Sequence, residues 1–98
     1  MKIIWHPSAI DDLEDLEDIL DYIAAHNHEA ASATFALITG NISGLASQPF
    51  MGRAGRVPGT RELVIGGTPY VVAYEIRDEI VAILTVLHGA RRWPETFQ

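Results

Sequence analysis

TRELVIGGTPYVVAYEIRDEIVAILTVLHGARRWP, residues Thr60 to Pro94, holds nearly all the strand-forming sequence of this 98-residue chain and most of its positive charge. Three runs rich in Val, Ile and Tyr, Arg61 to Ile65, Tyr70 to Ile76 and Ile80 to Leu87, are separated by Gly66-Gly67 and by Arg77-Asp78-Glu79. Short turns between β-branched and aromatic runs are the pattern of consecutive antiparallel strands, so a three-stranded meander is expected. Ile80 to Leu87 is apolar at every position except Thr85, which predicts a strand buried on both faces and central in the sheet.

Upstream, QPFMGRAGRVPGT, Gln48 to Thr60, is rich in Gly and Pro and without periodicity, so it reads as a surface loop carrying Arg53 and Arg56. Two helical patterns precede it. Ala31, Phe35, Ile38, Ile42 and Leu45 recur at steps of four and three, the seam of a helix packed along a partner. Ile10, Leu13, Leu16, Leu20 and Ile23 recur similarly, with seven acids from Asp11 to Asp21 mostly between them, predicting a packed stripe and a solvated face. That acid run lacks the glycine and the ligand alternation of a calcium loop, and acids spread around a helix point apart, so no metal is expected. His26-Asn27-His28 is read as the turn between the helices, with exposed cap histidines rather than a ligand pair. Lys2 to Trp5 reads as a first strand stopped by Pro7, with Ser8 as helix N-cap and Asp11 in the capping-box position.

The order is strand, helix, helix, three strands. It predicts an α+β fold, a helical hairpin covering one face of a small antiparallel sheet, in a single domain over 1–98 with a mobile tail at 91–98. Without cysteine, any chemistry falls to His, Arg, Tyr and carboxylates. No signal-peptide pattern and no apolar window of about 20 residues is present, so a cytoplasmic protein away from membranes is expected. The net charge of −6 is uneven: residues 1–50 carry one Lys against eight acids, and residues 51–98 carry six Arg against five acids. An acidic total disfavours nonspecific binding to phosphate backbones, and leaves room for a local arginine site.

Four pieces in order, IIWHPSAIDDLEDLEDILDYIA, QPFMGRAGRVPGTREL, PYVVAYEI and ILTVLHGARRWP, make the chain similar to the RelE/ParE family of bacterial toxins, the toxin half of type II toxin-antitoxin pairs. The resemblance spans nearly the whole chain and implies the same helical hairpin on a curved sheet. It implies a protein held inactive by a ParD-like or RelB-like antitoxin, without a cofactor, in a hetero-oligomer. The family contains two mechanisms. RelE-like members cut messenger RNA on the ribosome with arginines, lysines and a histidine or tyrosine; ParE-like members poison DNA gyrase by binding and need no catalytic group.

Under the nuclease reading, cleavage through the 2′-hydroxyl needs an acid, a base and cations for the charge on phosphorus. His88 would supply the first or second, Arg61 or Arg91 the third, with Tyr74 nearby. Under the binding reading, the contacts to antitoxin or target come from Arg53, Arg56, Arg61, Tyr70, Tyr74, Arg91, Arg92 and Trp93. Ribosome-dependent relatives are usually strongly basic, whereas this chain has one lysine and is acidic overall. That balance favours the gyrase-binding type, with the ribosome-dependent endoribonuclease and a non-toxic interaction domain as the alternatives.

Overall fold

The computed structural model describes residues 1–90 and 93–97. Strand β1 (Lys2–Trp5) leads into helix α1 (Pro7–Gly44), followed by β2 (Arg53–Ala54), β3 (Arg61–Val64), β4 (Tyr70–Arg77) and β5 (Ile80–His88). The five strands form one sheet in the order β1-β5-β4-β3-β2.

The meander is present as expected: β3 pairs with β4 and β4 with β5, both antiparallel. The β4–β5 turn is the two residues Asp78-Glu79, and Asp78 takes the left-handed conformation at φ 57° that Asp tolerates better than most. Two features complete the sheet beyond the meander. β1 joins the edge of β5 in parallel, Lys2 opposite Ile80 through Trp5 opposite Ile83, which makes the sheet mixed. The Gly- and Pro-rich loop contributes the two-residue β2, antiparallel to β3. β5 is therefore an interior strand, and Val81 and Leu84 to Leu87 are all buried. Its register slips between Ala73 and Tyr74, where Leu84 has no partner, a bulge of the kind that sharpens local twist.

The helix begins two residues earlier than expected, so that Ser8 lies inside it rather than at its N-cap. His6 is the N-cap: its Nδ1 accepts from the Ser8 backbone N–H at 3.3 Å and sits 2.6 Å from Ser8 Oγ. Pro7 occupies the first helical turn, where its missing N–H costs nothing. At 38 residues, a straight helix would run about 57 Å, yet the longest dimension of the molecule is 42 Å. Asn27 explains the difference. Its φ of −152° and ψ of 84° break the helix, and its Oδ1 accepts from the Ala30 N–H at 3.1 Å. Asn27 is thus extended rather than left-handed, and it caps the second limb with its side chain. The two limbs, 7–26 and 28–44, fold back on each other, since Glu17 and Thr39 line one cleft.

The hairpin's inner face packs on the sheet. Leu16, Leu20, Ala31, Ile38 and Ile42 form one core with Leu63, Ile65, Val72, Tyr74, Val81, Ile83 and Val86. In the first limb the packed stripe is Ala9, Leu13, Leu16, Leu20 and Ala24, while Ile10 and Ile23 are exposed, so the three leucines hold as expected and each end of the stripe passes to the neighbouring alanine. No described helix is long and apolar enough to cross a membrane. Asn27→Ala is expected to lower stability by about 1 kcal/mol through loss of the cap. Thermal unfolding should then fall by roughly 4–8 °C, with Asn27→Asp close to the parent chain.

Candidate functional site

The sequence-derived candidates fall into two groups set apart by the sheet, with Glu62 at the centre of the first. Glu62 lies on β3 between Arg61 and Leu63 and is only 2% exposed. Its carboxylate accepts from Arg56 backbone N–H (2.7 Å), Arg56 Nε (3.1 Å), Arg56 Nη2 (3.1 Å) and Arg53 Nη2 (3.2 Å). Burial alone would push this carboxyl up. The side-chain and backbone bonds from Arg56, the bond from Arg53 and the charge of Arg56 outweigh burial and hold it below the ordinary value. The Arg56 guanidinium also lies 4.1 Å from the centre of the Trp93 ring, whose edge meets Phe97.

Arg61 is tied to the same loop from the other side. Its Nη2 donates to the carbonyls of Gly52 (2.5 Å) and Phe50 (3.1 Å), and the guanidinium sits 5.3 Å over the Phe50 ring. Tyr74, opposite Arg61 in register, is wholly buried; its hydroxyl donates to the Pro49 carbonyl (2.7 Å) and accepts from the Gly52 N–H (2.9 Å). Tyr74 is therefore corrected from a catalytic or contact residue to a structural one. A hydroxyl with no surface and both roles filled has nothing to offer a substrate or a partner. Arg53, Arg56 and Arg61 are not simply solvated arginines: all three fasten the loop 49–60 to β3.

His88 ends β5 at the other end of the sheet. It is exposed, meets the Tyr70 ring edge-on at 5.8 Å, and its Nδ1 accepts from the Ala90 N–H at 3.1 Å. That bond leaves the proton on Nε2 when the ring is neutral. His88 pairs with Tyr70 and Arg61 with Tyr74, so the two stand on non-adjacent strands, four β4 residues apart. At strand spacings of about 4.8 Å and a rise of about 3.4 Å, their backbones are roughly 17 Å apart. The Arg61 side chain is anchored at Phe50 and Gly52. Of the expected arginine-histidine rim, Arg61 and His88 do not converge, and Arg91 and Arg92 lie outside the described residues.

Two acids that sequence reasoning did not single out hold the architecture. Glu62 could have been suspected as an acid inside a strand flanked by loop arginines. Asp12 accepts from the Thr85 hydroxyl and from the Val86 N–H (3.2 Å). It satisfies the edge of β5 just beyond the last β1 pairing, at Ile83.

Comparison with known proteins agrees with this architecture. Residues 3–93 match the family model described as the ParE toxin of the type II toxin-antitoxin system parDE. Y4kP of Sinorhizobium fredii, a protein classed by name as a toxin, is 40% identical over 83 residues, 85% of each chain. Toxin RelE2 of Caulobacter vibrioides is 33% identical over 90 residues, 92% of this chain and 97% of that one. The fold is shared with a solved structure described as a chromosomal ParDE toxin-antitoxin system from P. aeruginosa, at a TM-score of 0.72 and 24% identity, covering 88% of this chain and 92% of that chain. With a family model spanning nearly the whole length and two relatives above 30% identity, the chain belongs to the ParE toxin family of type II toxin-antitoxin systems.

Proposed function

We propose that this toxin acts by binding rather than by cutting RNA, with DNA gyrase as its target and a cognate antitoxin as the partner that neutralises it. The observation carrying the reading is the separation of His88 from Arg61, with the guanidinium groups of Arg53, Arg56 and Arg61 already engaged by Glu62 or by loop carbonyls. General acid-base cleavage needs the proton-transfer group and the cation within hydrogen-bond reach of one phosphate. The match to the ParE family model and the net charge of −6 support the same reading. Contacts to the target or antitoxin would then come from exposed groups, among them Phe50 and Met51 of the pinned loop.

The ribosome-dependent reading keeps two supporting observations. A relative named Toxin RelE2 aligns over nearly its full length, and His88 offers an exposed ring. Purified chain added to a gyrase supercoiling assay and to a coupled translation reaction separates the two. Inhibition of supercoiling with intact message is expected, and His88→Ala should retain the inhibition to within about twofold, since no proton transfer is involved. Message cleavage that disappears in His88→Ala would overturn the gyrase reading.

A further inference from the structure

Phe50 is 65% exposed and its neighbour Met51 45%, yet the backbone that carries them is tied down at each residue from Gln48 to Gly52. Gln48 donates its N–H to the Gly44 carbonyl at the end of α1 (3.0 Å), and Met51 donates to the Gln48 carbonyl (3.2 Å). The second bond closes a turn with Pro49 and Phe50 at its centre, where the fixed φ of proline suits the first central position. The Tyr74 hydroxyl holds the Pro49 carbonyl, and Arg61 holds those of Phe50 and Gly52. The Arg61 guanidinium also covers the Phe50 ring at 5.3 Å. Met51 lies back along the helix end, its Cε 3.9 Å from where a Cβ at Gly44 would stand. A turn that only joined helix to sheet would need these backbone bonds and nothing apolar at its apex. Here a buried tyrosine and an arginine fix a segment that presents two large apolar side chains to water.

We propose that Phe50 and Met51 form a fixed apolar knob that inserts into a preformed apolar slot, rimmed by carboxylates, on the folded protein that this toxin inhibits. This rests on the reading that the chain acts by binding a target, and specifies the chemistry of that contact. Shape and charge select the occupant. A flexible segment that folds on binding lies along grooves, whereas a projecting pair needs a concavity already present, which a folded protein supplies. Fixing the pair beforehand lowers the entropy lost on association, and Phe, Met and Arg are residue types enriched at protein interfaces. Residues 45–74 carry three arginines against one carboxylate, Glu62, which is itself buried. The surface around the pair is therefore positive on an otherwise acidic chain, and it is complemented by carboxylates at the rim of the slot. Nucleic acid fits less well. Phosphates are held by free guanidinium donors, and those of Arg53, Arg56 and Arg61 already serve Glu62 and the loop carbonyls.

The test compares the parent chain with Phe50→Ser/Met51→Ser, Phe50→Lys and Phe50→Glu. Each is purified for a gyrase supercoiling assay and each is expressed in cells without antitoxin, so that only the target contact is read. Both positions are exposed, and circular dichroism should show parent-like folding. The double serine variant should need at least about tenfold more protein for the same inhibition, the loss expected of an interface anchor, and should no longer arrest growth. Phe50→Lys and Phe50→Glu lose the same ring, so any effect on folding cancels between them; against an acidic rim the glutamate should be weaker by about tenfold. Inhibition and arrest by the double serine variant at parent strength would overturn the knob. Equal losses for lysine and glutamate would overturn the acidic rim. Binding of a fluorescent DNA duplex by the parent, lost in the double serine variant, would assign the knob to nucleic acid and overturn the protein slot. Growth arrest by the parent with supercoiling untouched would sink the gyrase reading alone: the knob then stands if the double serine variant loses the arrest and falls if it keeps it. A parent chain that neither arrests growth nor inhibits gyrase overturns both.

Discussion

Glu62→Gln is expected to lower the unfolding free energy by about 3 kcal/mol at neutral pH, near the low end for breaking a buried ion pair. The substitution keeps the volume and turns one acceptor oxygen into an amide donor facing N–H groups. Four donors converge on this carboxylate, three of them from Arg56. The arginine side chains are 60% and 43% exposed, so they can turn to water, which keeps the loss below that of a fully buried pair. The backbone N–H of Arg56 has no such freedom. For a domain of this length the midpoint should fall by roughly 12–24 °C.

The same contact predicts a pH dependence of definite sign. The folded carboxyl titrates below the ordinary value of 4.5, so the folded state binds the proton less readily than the unfolded chain. Its stabilisation is therefore fully present above that value and is lost as pH falls through the folded pKa. Thermal melts of parent and Glu62→Gln should be well separated at pH 7 and should converge in the acid range below 4.5. Equal midpoints at pH 7 would show that the knot of Arg53, Arg56 and Glu62 contributes nothing to the fold.

Why Glu62 escaped a reading of the sequence, while the meander did not, is a matter of range. The runs of Val, Ile and Tyr in β3, β4 and β5 are local signals, and the connections between them hold five and two residues, so pairing follows from adjacency. The break at Asn27 is likewise local, a polar side chain three residues before the N–H that it caps. The parallel partner of β1 lies nearly eighty positions away. No nearest-neighbour pattern encodes it. The partners of Glu62 and Tyr74 sit in a loop whose path is fixed only once it folds back on the sheet. Residue type made Arg53, Arg56 and Arg61 visible as cations; their use depended on three-dimensional neighbours.

The helical stripe shows a second kind of limit. Ile10 and Ile23 were the large residues at plausible spacing, and the structure buries Ala9 and half-buries Ala24 in their place. Alanine is small enough to be read as neutral, yet its methyl suffices where a helix lies close to a sheet. The candidate site shows a third. Arg61 and His88 flank the meander in sequence, which suggests a shared rim. In space β4 lies between their strands, and the hydrogen-bond register offsets them by four residues.

Gly52→Ala is expected to cost about 4 kcal/mol, combining overpacking with a lost buried hydrogen bond. A Cβ at position 52 would lie 2.6 Å from the Tyr74 hydroxyl, 2.7 Å from Tyr74 Cε1 and 2.8 Å from the Glu62 carbonyl oxygen. The last contact is backbone of β3, so it cannot swing aside. Moving Gly52 away breaks its N–H bond to Tyr74 and releases the Arg61 bond to its carbonyl. Tyr74→Phe alone should cost about 2 kcal/mol, since it strands the Pro49 carbonyl and the Gly52 N–H in a buried place. In the double variant the hydroxyl clash is gone while the Cε1 and Glu62 contacts persist. Its loss should fall short of the sum of the singles by about 1–2 kcal/mol, the coupling of residues in direct contact, yet exceed that of Tyr74→Phe. Urea unfolding of the four proteins measures both terms. Strict additivity would mean that the two residues do not share the contact, and recovery to the level of Tyr74→Phe would mean that β3 yields. Phe50 and Met51 project from the segment that Gly52 anchors, so Gly52→Ala should also weaken target inhibition at temperatures where the remaining sheet is still folded.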